Sequence, residues 1–250
     1  MRILLGPSLA VVCTALAVVC AAQAQTQTLE IPPVKTSLTI ETQPVEITAW
    51  GGIASTAAGQ FRLSMTVDLN QFQEYLTPIL AAQLNRSERC GERLSVDRAV
   101  LAPAAPSALL TAYVHYERFA CAKAFGKEVV KRLAGGNAVV EVNLAPSVAD
   151  NRIQLAADVR KIDADGSLGE LLRSGSFGDS LREKIAASIQ SSIRKSANLQ
   201  SALPASMEDL AALQSVQFAD GGAGRLWLTI AAAVHLTADQ FRDAARTLHH

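Results

Sequence analysis

Aromatic side chains are scarce in this chain of 250 residues, only 5 % of the total, so a surface of stacked rings and bases has little to be built from. Net charge is absent as well. Lys and Arg number 23 and Asp and Glu 23, and no overall field draws in nucleic acid or an anionic membrane surface. Histidine is rarer still: His115, His235, His249 and His250 are the only four, none of them at metal-ligand spacing. His115 and His235 fall on the polar side of alternating runs and read as solvated, and the terminal pair reads as a frayed end. Beyond the N-terminus no apolar run approaches the roughly 20 residues of a membrane-spanning helix. What abounds is Ala, Leu and Val, so a cavity in this protein would be aliphatic and would suit acyl chains better than bases.

The longest largely apolar stretch stands near the start. Arg2 supplies a positive n-region, residues 9–22 an apolar h-region, and Ala22-Gln23-Ala24 a small-x-small cleavage site before polar Gln25. Residues 1–24 are therefore expected to be a signal peptide, and the mature chain to be exported to the periplasm or the extracellular space. The rival reading is a lipoprotein anchored at Cys20; the branched Val19 directly before it argues against that acceptor context. Cleavage leaves about 225 residues, enough for a real core.

Cleavage also removes Cys13 and Cys20, leaving Cys90 and Cys121, which in an exported protein read as a disulfide. Leu94, Val96 and Val100 share a face broken by Arg98. After a turn-like stretch at 102–107, Leu110, Ala112, Val114 and Tyr116 alternate with Thr111, Tyr113, His115 and Glu117. Matching the apolar faces of that hairpin puts Cys90 opposite Ala120, one residue from Cys121, an offset that a bulge or the flexible Gly91 must absorb. Closing a loop of this length stabilises the fold by roughly 3 to 4 kcal/mol in the chain-entropy model.

Elsewhere, residues 25–35, with Pro32-Pro33, are expected to be a flexible N-terminal segment ahead of a single α+β domain spanning 36–250. Short strands are expected at 37–40 and 45–49. Phe61, Leu63, Met65, Val67 and Leu69 alternate cleanly with polar neighbours, and then Asn70 and Gln73 resemble a capping box before a helix carrying Phe72, Leu76, Ile79, Leu80 and Leu84, with Pro78 in its middle. The stretch 128–133 is ambiguous and Gly135-Gly136 breaks it; 139–144 and 153–162 read as strands. Phe177, Leu181, Ile185, Ile189 and Ile193 recur every four residues, which predicts an amphipathic helix of about five turns. Residues 213–218 and 225–236 form a hairpin across Asp220-Gly221-Gly222-Ala223-Gly224, and Thr237 with Gln240 caps a last helix. The phrase around Val67, Leu69 and Asn70 thus returns around Val234, Leu236 and Thr237: a strand breaking into a capped helix.

Motifs for chemistry fail on residue type. Asp163-Ala164-Asp165-Gly166 would put Lys161 and Leu172 where a calcium loop needs carboxylates, and reads as a turn after a strand. Gly175-Ser176-Phe177-Gly178 lacks the spacing of a nucleophile elbow, and Gly126-Lys127 lacks the rest of a phosphate loop. Ser192 and Lys195 match Ser-x-x-Lys, without the companion elements of such hydrolases. Asn85-Arg86-Ser87 is a glycosylation sequon by letter. No enzyme activity, metal or cofactor is expected.

The segments 61–84, 94–121, 137–195 and 216–248 together resemble the tubular lipid-binding (TULIP-like) superfamily in their alternating strands, punctuated antiparallel meander and one long amphipathic helix. The resemblance implies an α+β fold in which a curved antiparallel β-sheet packs on a long amphipathic helix, with shorter helices after strands, and lipid is held between helix and sheet. Many members carry two such modules; here there is room for one. The expected function is a non-catalytic binding module for lipid or another apolar ligand, contacted by Phe72, Leu76, Ile79, Leu181, Ile185 and Ile189. The alternative is a structural or protein-interaction module of the cell envelope, with an envelope protein as partner.

Overall fold

The computed structural model describes residues 28–56, 60–87, 90–124, 127–173 and 211–235, with isolated positions 179, 183, 187 and 237. Among these residues the alternating runs become β1 (Thr28–Ile40), β2 (Gln43–Ser55), β3 (Phe61–Asp68), β4 (Arg86–Ser87), β5 (Gly91–Ala104), β6 (Ser107–Ala124), β7 (Lys127–Ala149), β8 (Arg152–Ala164), β9 (Ala211–Asp220) and β10 (Leu226–Val234). The helices are α1 (Asn70–Leu84) and α2 (Gly166–Arg173). The strands form two five-stranded sheets, in the orders β1-β2-β3-β10-β9 (sheet A) and β4-β5-β6-β7-β8 (sheet B). Every pairing in both is antiparallel.

The expected fold class, one curved sheet packed on a long amphipathic helix, is corrected by this architecture. The described residues are mostly strand, and their helices are short, 15 and 8 residues. The apolar stripe expected at 177–195, with Leu181, Ile185 and Ile189, lies outside the described residues; Asp179, Glu183 and Ala187 within that stretch are exposed. The physical reason is that two sheets each present an apolar face. Val45, Ile47, Val67, Leu226 and Leu228 of sheet A join Leu110, Val140 and Val142 of sheet B in one buried cluster, with Leu76, Ile79 and Leu80 of α1. A second, smaller cluster continues along the same face of sheet A through Leu29, Ile53, Phe61, Leu63, Ala232 and Val234.

Two prolines and two glycines that read as breakers do not break their strands. Residues 28–40 pair along β2, and a register shift between Ile31 and Val34 absorbs Pro32-Pro33, so most of the segment expected to be flexible is an edge strand. Strand β7 runs through Gly135-Gly136, where a Cβ on Gly135 would meet the Arg132 guanidinium and one on Gly136 would meet Asp165. Close approach, not chain reversal, is what these glycines permit.

The hairpin of β5 and β6 turns at Ala105-Pro106 and carries a bulge between Val96 and Arg98. The bulge shifts the phase, so that Ala99 and Leu101 are buried and Val100 faces outward beside Thr111, not inward as the simple alternation suggests. At the far end Gly91 pairs with Phe119, Gly91 takes a φ of 113°, and Cys90 reaches Cys121 in a disulfide with a Cα separation of 5.7 Å. The offset read from the sequence is absorbed where expected, at a glycine in a conformation that other residues rarely adopt.

The two similar strand phrases, β3 and β10, lie side by side, with Phe61 opposite Val234 and Asp68 opposite Trp227. Residues 238–248, where the last helix is expected, lie outside the described residues.

Candidate functional site

Helix α1 lies where the two sheets meet. Of the residues expected to contact ligand, Leu76 and Ile79 are buried, at 4 % and 2 % exposure, and Phe72 is half-buried against the same cluster. The structure therefore brings Phe72, Leu76 and Ile79 together beneath β2 and β5, in contact with side chains of the core.

The polar stripe of α1 has a task that the sequence did not reveal. Strand β4 covers only two residues of β5, opposite Leu94 and Arg93, and among the described residues the rest of that edge has no strand partner. Side chains of α1 and its C-cap close it. Asn85 Oδ1 accepts from Val96 N at 2.8 Å, and Thr77 Oγ1 accepts from Ala99 N at 2.9 Å. Gln73 Nε2 donates to Leu101 O at 2.7 Å and to Gly224 O at 3.0 Å, while its Oε1 accepts from Leu226 N at 2.8 Å. Residues 73, 77 and 85 lie on one helical stripe, multiples of four apart, so a single face of the helix serves an extended edge. Gln73 does not close a capping box with Asn70: the N-cap is Leu69, without a side-chain cap, and the Asn70 amide donates to Asp68 Oδ1 at 2.8 Å. The i to i+3 spacing of a capping box and the spacing of this edge stripe overlap at Gln73, and only tertiary contact distinguishes them.

Polar groups gather at two other places. On the outer face of sheet B, His115 Nδ1 lies 2.8 Å from Asn137 Oδ1, and Asn137 N donates to Asp165 Oδ1 at 2.7 Å. Ser167 spends both hydrogen-bonding directions on the Gly135 backbone, at 3.1 and 3.2 Å. The network ties the start of α2 to β7 through Asp165, the one residue between β8 and α2; Asp163 and Ala164 are strand residues, not the turn expected there. At the far end of sheet A, Thr56, Gln60, Arg62, Gln214 and His235 line a cleft of about 140 Å³. That is below the roughly 300–1,000 Å³ of ordinary small-molecule pockets. No group of three His, Cys, Asp or Glu side chains among the described residues is arranged to hold a metal ion. Ser176, Ser192, Lys195, His249 and His250 lie outside the described residues.

A row of half-buried apolar side chains on β8 packs against the edge of the main buried cluster. The inner face of sheet B is buried along β7 at Ala138, Val140, Val142 and Leu144, and continues onto its neighbour as Ile153, Leu155, Ala157, Val159, Ile162 and Ala164, all half-buried. No aromatic ring interrupts this row. No protein-family model, curated protein or solved structure matches the chain.

Proposed function

We propose that the mature chain is an exported, non-catalytic binding module for an apolar ligand, lipid included, and that β8 supplies the contact wall. The observation that supports it is the row of six half-buried aliphatic and alanine side chains on the inner face of that strand. Such a row offers van der Waals contact along an acyl chain without hydrogen-bond demands, which is what a ligand of that class requires. The Cys90–Cys121 disulfide accords with an oxidising compartment, periplasmic or extracellular, where free lipid is scarce in water and a carrier is useful.

The test is extraction of natively purified protein with organic solvent, followed by mass spectrometry, with titration of the stripped protein by a dansyl-labelled long-chain fatty acid. A near-stoichiometric acyl species and saturable fluorescence enhancement are expected, with the enhancement weakened at least about tenfold in Leu155→Asp/Val159→Asp. Clean extracts together with no saturable enhancement would overturn the reading and leave the envelope interaction module in its place.

A further inference from the structure

Sheet B does not end where its core ends. Strand β5 begins at Gly91, opposite Phe119, and β8 joins β7 only from Ala138 onward. Among the described residues, 120–124 and 127–131 therefore pair only with each other, as a two-stranded ribbon extending past the rest of the sheet. An isolated two-stranded ribbon is marginal in water. This one is pinned at its root: the Cys90–Cys121 disulfide fastens it to the start of β5, the Arg93 guanidinium stacks 4.3 Å over the Phe119 ring, and Arg132 Nε meets Glu117 at 3.2 Å.

The ribbon's composition departs from that of the whole chain. Net charge over 250 residues is zero, yet residues 120–124 and 127–131 hold Lys123, Lys127 and Lys131 against Glu128 alone. Apolar side chains are exposed here as well, Val129 at 51 % on the ribbon and Leu133 at 54 % at its root. Val129 pairs with exposed Ala122, and exposed Lys131 with exposed Ala120, so one face of the ribbon carries small and aliphatic groups together with Lys131, while exposed Lys123 stands on the opposite face. Aliphatic side chains among lysines match the interface of a bilayer carrying anionic headgroups. The cations meet phosphates and the aliphatic groups enter the shallow acyl boundary.

We infer that the ribbon of β6 and β7 is a docking arm for a bilayer surface rich in anionic phospholipid. Neither half suffices alone: a few cations give salt-sensitive attraction, and two aliphatic side chains give shallow insertion. This surface is separate from the β8 wall, so the arm can bind membrane whether or not the wall holds a ligand.

The experiment is co-flotation of the oxidised mature chain with vesicles of phosphatidylglycerol and phosphatidylcholine in equal parts, compared with phosphatidylcholine alone. Binding to the anionic vesicles only, weakening steeply with added salt, is expected. Lys123→Glu/Lys131→Glu should lower it at least about tenfold, and Val129→Ser/Leu133→Ser should lower it while leaving the salt dependence in place. A readout on the unaltered protein guards against variants that fail to fold: anionic vesicles should shield Lys131 from amine acetylation and leave Lys35, on β1, reactive. Absence of flotation with anionic vesicles, equal acetylation of Lys131 and Lys35, or equally tight binding to a single-stranded oligonucleotide would overturn the inference.

Discussion

Strands β6 and β7 pass through two environments, and the contrast between their ends is instructive. In the upper half Leu110 is 2 % exposed and Val142 0 %, enclosed by α1 and sheet A. In the lower half Val129 and Leu133 are 51 % and 54 % exposed. Both halves are antiparallel ladder, although residues 110–117 alternate cleanly and 128–133 do not. What sets their burial is whether another layer lies opposite. Alternation assigns a side chain to a face, and only the packing of a second element turns that face into a core.

The sharpest way to break the comparison is substitution in each half. Leu110→Ala should cost about 4 kcal/mol, as expected for a buried leucine whose cavity cannot collapse, measured by urea unfolding. Loss of the disulfide in Cys90→Ser/Cys121→Ser should cost roughly 3 kcal/mol in the same assay, and hydrogen exchange should quicken first in the ribbon, which loses its fastening to β5.

Tyr116 marks the boundary between the halves, and it supplies a pH test. Burial, reinforced by the nearby Glu92 carboxylate, raises its hydroxyl from 10.0 to about 12. The fold thus favours the neutral phenol. Its contribution is fully present below pH 10 and is lost as the pH rises from 10 toward 12, a fall of about 2–3 kcal/mol that Tyr116→Phe should remove from the alkaline stability profile. Next in size, Gln73→Ala should cost about 2 kcal/mol, because three backbone groups of β5 and the β9–β10 hairpin lose a partner at a half-buried junction. The smallest effect is expected in the lower half, where Val129→Ser should change global stability by under about 0.5 kcal/mol while it reduces flotation with anionic vesicles. A large loss of stability there would place the ribbon with the core and undo the contrast.

Much of the local structure was legible. The strand ending at Asp68 and the helix after it, the hairpin with its cysteine pair, and the β9–β10 hairpin across residues 221–225 all follow from period-two alternation, turn residues and spacing. Pro32-Pro33 and Gly135-Gly136 misled, because breaker residues report local backbone preference, and a bulge on an edge strand or a close approach by Arg132 and Asp165 accommodates them. The fold class misled for a related reason. A stripe every four residues predicts an amphipathic helix but does not state what the sheets pack against, and here sheet faces sheet with α1 between.

The sequence by itself therefore determined the faces of the strands away from bulges such as the one before Val100, the pairing of Cys90 with Cys121 and an aliphatic character throughout, since these depend on residue type and on neighbours within a few positions. The tertiary structure alone decided that there are two sheets, that Gln73 serves a strand edge and not a helix cap, and that Lys123 and Lys131 stand on a ribbon outside the core. Those outcomes depend on which layers meet across long separations in the chain, and periodicity carries no record of that distance.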